Sequence, residues 1–316
     1  MAGTSKIDPG TVAELGASLR ENIQRAVKVR DGVVQGLLVA LFGEGHVLIE
    51  DVPGIGKTAL ARALARSLNA EYSRIQCTND LLPADVIGTN VFLQNEARFD
   101  FHPGPVFANV VLIDEINRAS PKTQSGLLES MQERRVTHDK HTHELARPFL
   151  VIATQNPVEY EGTYPLPEAQ LDRFMVRLSL GYPDRADEAE MLDEQAGGDR
   201  VLELEPVAGV ATVLEAQAAV KQVHASEELR RYVVRLAELT RSDSRVVLGA
   251  SPRAGLQLFL AARALAALAG RDHVLPDDVQ ALATSVLAHR ILLAPGHADQ
   301  ERAAVIDDAL DRLPAL

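Results

Sequence analysis

The sequence predicts an α/β fold in which a parallel sheet flanked by helices is followed by a smaller, all-helical domain. Three short apolar runs rich in β-branched residues, at 46–49, 110–113 and 150–153, are typical of strands buried on both faces. A helical pattern at 59–68 follows the first run, and alternating strands and helices favour a parallel sheet. After about residue 184 the strand signals largely stop, which predicts helices there.

Helix signals fill the second half of the chain. Leu229, Val233 and Leu236 recur at helical spacing behind Ser226, a residue suited to an N-cap. Turn-forming residues at 181–184 precede this region, and a change of pattern at such residues is typical of a domain boundary. We therefore predict an α/β domain at residues 1–183 and a helical domain at residues 184–316.

The composition limits the classes of function. The 316 residues carry a formal net charge of −12, which opposes nonspecific attraction to nucleic acid or an anionic membrane. Cys77 is the single cysteine, which excludes an intramolecular disulfide and a cysteine-cluster zinc site and fits a reducing cytoplasm. Residues 1–9 lack the apolar stretch of a signal peptide or anchor, and no apolar run has the roughly 18 residues of a membrane span. We expect a cytoplasmic protein without membrane insertion.

A phosphate-binding loop is the strongest local signal. Residues 51–58 lie between the first predicted strand and a predicted helix, and they match the phosphate-loop pattern except that Asp51 replaces its first glycine. The glycines let backbone N–H groups face phosphate oxygens, Lys57 reaches the β- and γ-phosphates, and the Thr58 hydroxyl ligates Mg²⁺. The alternative is a glycine-rich turn with a surface lysine. The predicted nucleotide-binding residues are Asp51, Val52, Pro53, Gly54, Ile55, Gly56, Lys57 and Thr58.

Two acidic residues follow the second predicted strand. Asp114 and Glu115 come directly after the apolar run at 110–113. Because ligands of open α/β sheets bind at the carboxyl ends of the strands, both side chains are expected to face the same crevice as the phosphate loop. Asp114 is then suited to hold Mg²⁺ through the metal's waters, and Glu115 to polarise an attacking water. A solvated strand end is the alternative.

Three further polar residues are candidates for catalysis. Asn156 follows the third predicted strand, where its amide can hydrogen-bond the attacking water or the γ-phosphate; the alternative is a cap that starts a turn before proline. Arg173 and Arg253 carry forked guanidinium groups suited to spreading γ-phosphate charge. Spacing alone favours surface salt bridges for both arginines.

Together these segments resemble the AAA+ superfamily of ATPases and, more narrowly, its MoxR family. The phosphate loop and the Asp-Glu pair occur in many ATPases. The segments Leu-Leu-Pro-Ala-Asp, Asp-Glu-Ile-Asn-Arg-Ala and Leu-Pro-Glu-Ala-Gln-Leu-Asp-Arg-Phe are much narrower. The likeness spans nearly the whole first domain and is carried by residues 45–58, 80–88, 104–107, 114–119, 127–133, 153–157 and 166–174.

The resemblance implies a Mg²⁺-dependent ATPase with an AAA+ large domain and a helical lid domain. It implies a Walker A loop at 51–58, a Walker B pair at Asp114 and Glu115, a sensor-1 asparagine at Asn156 and a sensor-2 arginine at Arg253. Arg173 would be the arginine finger that completes a neighbouring subunit's site, so the catalytic unit would be a ring of identical chains, usually a hexamer.

The resemblance also implies two insertions and a class of partner. One insertion should fall within about 81–105, and a hairpin before sensor 1 should lie at about 135–147. Where the family usually has a Gly-Gln pair near the adenine pocket, this chain has Val29 and Arg30 on an ungapped count. ATP hydrolysis would remodel or mature a client enzyme, sometimes by metal or cofactor insertion, with a partner that has a von Willebrand factor A domain.

Two other functions remain open at this point. A nucleic-acid motor or loader would use basic residues of the hairpin, although no aromatic stacking platform accompanies them: Arg134, Arg135, Lys140 and Arg147. A nucleotide-gated scaffold would bind ATP without useful hydrolysis, and the presence of Glu115 and Asn156 argues against it. Three histidines in this hairpin either form a metal site or, as we favour, lie at an exposed hairpin tip: His138, His141 and His143.

Overall fold

The computed structural model describes residues 8–138, 141–157, 162–182, 185 and 199–314. A parallel sheet of five strands lies at its centre. The described strands are β1 (Val47–Glu50), β2 (Tyr72–Gln76), β3 (Gly88–Leu93), β4 (Arg98–Pro103), β5 (Val110–Asp114), β6 (Arg135–His138), β7 (His141–Glu144), β8 (Leu150–Gln155), β9 (Val176–Leu178), β10 (Val246–Leu248) and β11 (Leu292–Leu293).

Helices cover both faces of the sheet and make up most of the second half. They are α1 (Pro9–Ala26), α2 (Asp31–Phe42), α3 (Lys57–Ser67), α4 (Pro83–Ile87), α5 (Pro121–Glu133), α6 (Glu168–Leu171), α7 (Arg200–Glu203), α8 (Val210–Val220), α9 (Glu227–Arg241), α10 (Pro252–Leu268), α11 (Pro276–Leu287) and α12 (Glu301–Asp311). Within the described ranges, no helix has both the length and the apolar character needed to cross a membrane.

The three predicted strands form the middle of the sheet. The spatial order is β2-β5-β8-β1-β9, so β5, β8 and β1 each have a neighbour on both sides. Their side chains at Leu48, Leu112 and Ile152 are fully buried, which explains the apolar runs in the sequence. The predicted parallel sheet flanked by helices is therefore confirmed. The two outer strands had no comparable signal.

All five strands run in the same direction, so their carboxyl ends meet at one edge. In the strand register Gln76 lies beside Asp114, and Glu50 lies beside Gln155. Strands β1, β5 and β8 each change from buried apolar to polar residues at this edge. The edge therefore brings together the loop after β1 and the residues that follow β5 and β8.

The second half is helical, as predicted, with one addition. The Ser226 hydroxyl accepts a hydrogen bond from the backbone N–H of Leu229 at 3.1 Å and caps α9. The short strands β10 and β11 form an antiparallel ribbon that the all-helical prediction lacks, because strands of two or three residues carry no detectable alternation. The predicted boundary between residues 183 and 184 lies outside the described residues, and the division into two domains stays a prediction.

The N-terminal helices α1 and α2 connect the helical half to the sheet. Helix α10 packs against α1 and α2, and a Cβ placed on Gly16 would lie 2.4 Å from the Leu268 side chain. Ile49 and Val110 of the sheet belong to this same apolar core, as does Leu258 of α10. Close packing therefore fixes the helices of the second half relative to the sheet.

Two hairpins project from the α/β half where the resemblance implied insertions. Strands β3 and β4 pair antiparallel inside the expected 81–105 region, and β6 and β7 pair inside the expected 135–147 region. At the base of the first hairpin Gly88 has φ +97°, and a Cβ there would lie 2.3 Å from the carbonyl oxygen of His102. Only glycine fits this crossing.

Candidate active site

The phosphate loop has the expected strand-loop-helix setting. It leaves β1 after Glu50, and α3 begins at Lys57. Gly54 and Gly56 have φ values of +86° and +92°, the left-handed region that favours glycine. A Cβ added to Gly54 would have no neighbour within 4 Å, so the loop is open towards a ligand there. Backbone N–H groups and the positive end of α3 make this loop an anion site.

Asp51 has a role that the sequence did not reveal. Its carboxylate accepts hydrogen bonds from the backbone N–H of Leu180, at 2.5 Å, and from the Ser179 hydroxyl, at 3.1 Å. Its backbone oxygen accepts from Lys57 Nζ at 2.6 Å, and Arg30 donates to the Leu180 carbonyl at 2.9 Å. The side chain therefore ties the start of the phosphate loop to the segment after β9.

Asp114 lies at the end of β5 with both carboxylate oxygens in contact. Thr154 Oγ1 donates to Asp114 Oδ1 at 2.7 Å, and Arg74 donates to Asp114 Oδ2 at 2.7 and 3.1 Å. Thr154 is buried on β8, whereas Arg74 is half exposed on β2. One carboxylate oxygen is thus held by a rigid strand and the other by a displaceable side chain.

Glu115 is the first residue beyond β5 and has a left-handed backbone with φ +56°. This conformation is unfavourable for a residue with a Cβ, and the structure holds it through a 3.0 Å hydrogen bond from the Glu115 N–H to Thr154 Oγ1. Gln76 Nε2 and Arg118 Nη1 donate to Glu115 Oε2 at 3.1 and 3.0 Å. The strained turn and these two donors hold the Glu115 carboxylate in place at the carboxyl edge of the sheet.

Most of the phosphate loop, together with Asp114 and Glu115, lines one cavity of about 470 Å³, within the range of small-ligand sites. Three predicted loop residues are not part of this lining: Asp51, Val52 and Ile55. The phosphate loop and α3 form one wall, and the ends of β2, β5 and β8 form the other. Asn156 also lines it. The lining residues that sequence reasoning did not name as site residues are Ala59, Arg62, Arg74, Gln76 and Thr154.

Arg173 and Arg253 lie together, away from that cavity. Arg173 Nη1 donates to the Leu128 carbonyl at 2.5 Å, and Arg253 Nη1 donates to Gln132 Oε1 at 3.2 Å, one turn further along α5. Burial and the positive charge of Arg253 both lower the pKa of Arg173. Neither arginine is among the residues that line the cavity.

The arginine pair lies towards the opposite edge of the sheet. The Met131 carbonyl next to Gln132 contacts His46, which precedes β1, and the backbone N–H of Met175 donates to the His46 carbonyl. These residues mark the amino ends of β1 and β9, whereas the phosphate loop leaves the carboxyl end of β1. The four-residue β1 separates these two edges by roughly 13 Å at about 3.3 Å per residue.

In the described part of the chain, the hairpin histidines and the cysteine do not form a second site. Among the residues that the structure describes, no group of three or more metal-ligating side chains lies together. The ring of His143 stacks on Phe101 with centroids 4.0 Å apart, and the side chain of His138 lies outside the described part. Cys77 is buried, and burial raises its pKa to about 12, so its thiol stays protonated and inert.

Comparison with known proteins identifies the family. A sequence model of the ATPase family associated with various cellular activities (AAA) matches residues 46–176, and a model of the AAA lid domain matches residues 238–310. Chaperone MoxR1 of Mycobacterium tuberculosis is 42% identical to this chain, over 86% of the chain and 74% of that protein. The chain belongs to the MoxR family of AAA+ ATPases. It is an ATP hydrolase with a nucleotide-binding site.

Two further proteins match this MoxR chain over most of its length. The uncharacterized protein YeaC of Bacillus subtilis is 49% identical over 87% of this chain and 86% of that protein. The crystal structure of a Cytophaga hutchinsonii protein proposed to be an ATPase superposes with a TM-score of 0.88 at 36% identity, covering 96% of this chain and 95% of that one. The phosphate loop and Arg173 fall within the AAA match, and Arg253 falls within the lid match.

Proposed function

We propose that this MoxR chain is a Mg²⁺-dependent ATPase whose catalytic site is shared between two copies of the chain. One observation supports this most strongly. The cavity gathers Lys57, Thr58, Asp114, Glu115 and Asn156, while Arg173 and Arg253 lie near the other edge of the sheet. An arginine that neutralises γ-phosphate charge must touch the nucleotide, so this pair can act only on a nucleotide bound by another copy.

The residues of the cavity have separate roles in ATP hydrolysis. The loop N–H groups and Lys57 bind and orient the phosphates. Glu115 lies at the end of β5 in a fixed turn, where its carboxylate orients the attacking water and takes up its proton. Asn156 follows β8 in the same cavity and hydrogen-bonds the water or the γ-phosphate.

The donor set fits a hard divalent cation. The Thr58 hydroxyl and the Asp114 carboxylate line the cavity and offer the oxygen ligands that Mg²⁺ prefers. A bound Mg²⁺ neutralises charge that develops on the phosphate oxygens. Arg74 donates to Asp114 Oδ2, so a cation held by this carboxylate would compete with the guanidinium.

Removing that competitor should lower the Mg²⁺ requirement. In Arg74→Met we expect the half-saturating Mg²⁺ concentration for ATP hydrolysis to fall about two- to fivefold. This factor corresponds to the free energy that a half-exposed ion pair contributes. Arg62→Met is the matched control, because Arg62 also lines the cavity but pairs with Asp199. Magnesium titrations at saturating ATP decide the matter. An unchanged or raised requirement in Arg74→Met would contradict the competition.

A shared site requires assembly, and a head-to-tail interface that closes gives a ring. We propose a homo-oligomeric ring, a hexamer by analogy with AAA+ ATPases. Light scattering of Glu115→Gln, which holds ATP without hydrolysing it, is expected to give several times the 34.2 kDa of one chain in ATP and Mg²⁺. A mass that stays at 34.2 kDa while ATP is bound would contradict self-assembly.

We further propose that hydrolysis drives remodelling or maturation of a client protein complex, including metal or cofactor insertion, in the cytoplasm. One of the relatives is named a chaperone, which supports this class of work. A partner with a von Willebrand factor A domain is proposed by family analogy alone.

No observation favours a nucleic-acid motor. The described basic residues at the base of the second hairpin already have acidic partners: Arg134 and Arg147 pair with Glu44, and Arg135 pairs with Glu133.

A further inference from the structure

Arg290 is a buried arginine whose hydrogen bonds go to residues 172–175 and to the end of the preceding helix, α11. It ends the 3₁₀ turn Ala288–Arg290 after α11, and its side chain is only 2% exposed. Its Nε donates to Asp172 Oδ1 at 2.8 Å, and its Nη groups donate to the carbonyls of Phe174 and Met175. These acceptors lie on both sides of Arg173, so Arg290 holds the backbone that carries it.

The ion pair with Asp172 sustains this buried charge. Burial lowers the pKa of Arg290 to about 10, while the adjacent Asp172 carboxylate acts in the opposite direction. A guanidinium in such a place persists only where it is paired and its N–H groups have acceptors. Asp172 is therefore the necessary partner of Arg290, and both are fixed where the sheet meets the lid.

The same carboxylate also contacts the helix that carries Arg253. The Ser251 hydroxyl donates to Asp172 at 3.2 and 3.3 Å, and Ser251 caps α10 by accepting from the backbone N–H of Ala254 at 3.0 Å. Arg253 is the second residue of α10. The Asp172 carboxylate thus joins the segment that carries Arg173 to the first turn of α10, which carries Arg253.

We propose that Asp172 and Arg290 are a positioning pair that holds Arg173 and Arg253 side by side for the nucleotide of a neighbouring copy. This inference rests on the proposed function. Two guanidinium groups repel each other, so a shared anchor is needed to keep them on one surface. Asp172 and Arg290 act through the two arginines and do not touch the nucleotide.

The deciding variant is Asp172→Asn, which keeps the shape of the side chain and its contact with Ser251 but removes the charge that pairs with Arg290. We expect kcat for ATP to fall at least about tenfold, since small displacements of catalytic groups cost up to about 10²-fold. Binding of a fluorescent ATP analogue should stay at the parent affinity, because the cavity is untouched. Arg290→Lys keeps the charge but loses the fork, and should lower kcat in the same direction.

Mixing with Lys57→Ala separates positioning from simple damage. A Lys57→Ala copy cannot use its own cavity but presents an intact arginine pair to its neighbour. Turnover per Asp172→Asn copy should therefore rise severalfold when Lys57→Ala copies are added. Arg271→Met is the matched control, because the Arg271–Asp278 ion pair also lies in the lid but does not contact 172–175, and its kcat should remain at the parent value.

Four outcomes would overturn the inference. The first is an unchanged kcat in Asp172→Asn. The second is a loss of kcat in Asp172→Asn that Lys57→Ala copies do not restore, while a mixture of Arg173→Ala with Lys57→Ala does regain activity. This result would support the shared site but contradict the positioning pair. The third is loss of analogue binding in both Asp172→Asn and Arg290→Lys, which would make the pair a support of the whole fold. If the Arg173→Ala mixture also stays inactive, the proposed shared site fails and the positioning pair fails with it.

Discussion

Glu115→Gln is expected to lower ATP turnover about 10²- to 10⁴-fold while ATP still binds. The amide keeps the size of the side chain and can accept from Gln76 and Arg118, but it cannot take a proton from water. Phosphate binding by the loop is independent of this proton transfer. Steady-state phosphate release and equilibrium binding of a fluorescent ATP analogue measure the two properties separately.

Glu50→Gln is the control for this prediction. Glu50 ends β1 at the same sheet edge, but it pairs with Arg177 and does not line the cavity. The control should therefore keep parent turnover. If Glu115→Gln hydrolyses ATP as fast as the parent, Glu115 is not the group that accepts the proton.

Arg173→Ala is expected to lower turnover about 10³-fold or more, the range measured for arginines that neutralise phosphoryl-transfer charge. Arg253→Ala should act in the same direction. Neither substitution should change the affinity of a copy for ATP, because neither side chain lines that copy's own cavity.

A surface arginine on the lid provides the comparison. Arg235 lies on α9 in an exposed pair with Glu238, and Arg235→Ala should retain parent turnover. Weaker ATP binding in Arg173→Ala, with kcat unchanged, would place this arginine at its own nucleotide and contradict the shared site.

The middle of the sheet and the phosphate loop could be predicted because buried strands and glycine-rich turns have distinct sequence patterns. The apolar runs of β1, β5 and β8 mark strands that are covered on both faces. The edge strand β2 has only Ile75 buried, so its residues carried no such run. Arg74 and Gln76 were missed with it, although the strand register places Gln76 beside Asp114.

The remaining parts of the site depend on tertiary contacts. The sequence placed Asp51 in the phosphate loop but could not show that its carboxylate binds the segment after β9. Arg173 and Arg253 are 80 positions apart, and only the packing of the lid on the sheet brings them together. Arg290 did leave a signal: apart from the neighbouring His289, it is surrounded by apolar residues between Leu287 and Leu292, and a charged residue in such a stretch is typical of a buried, paired cation.

The mixture of Arg173→Ala with Lys57→Ala tests the shared site most directly. Each variant alone should be nearly inactive, the first because it presents no finger to its neighbour and the second because it cannot bind the phosphates of ATP. In mixed oligomers a Lys57→Ala copy presents Arg173 to the intact cavity of an Arg173→Ala copy. We expect turnover to reappear on mixing and to depend on the ratio of the two variants. A mixture that stays as inactive as its components, while light scattering shows mixed oligomers, would contradict a catalytic site built from two copies.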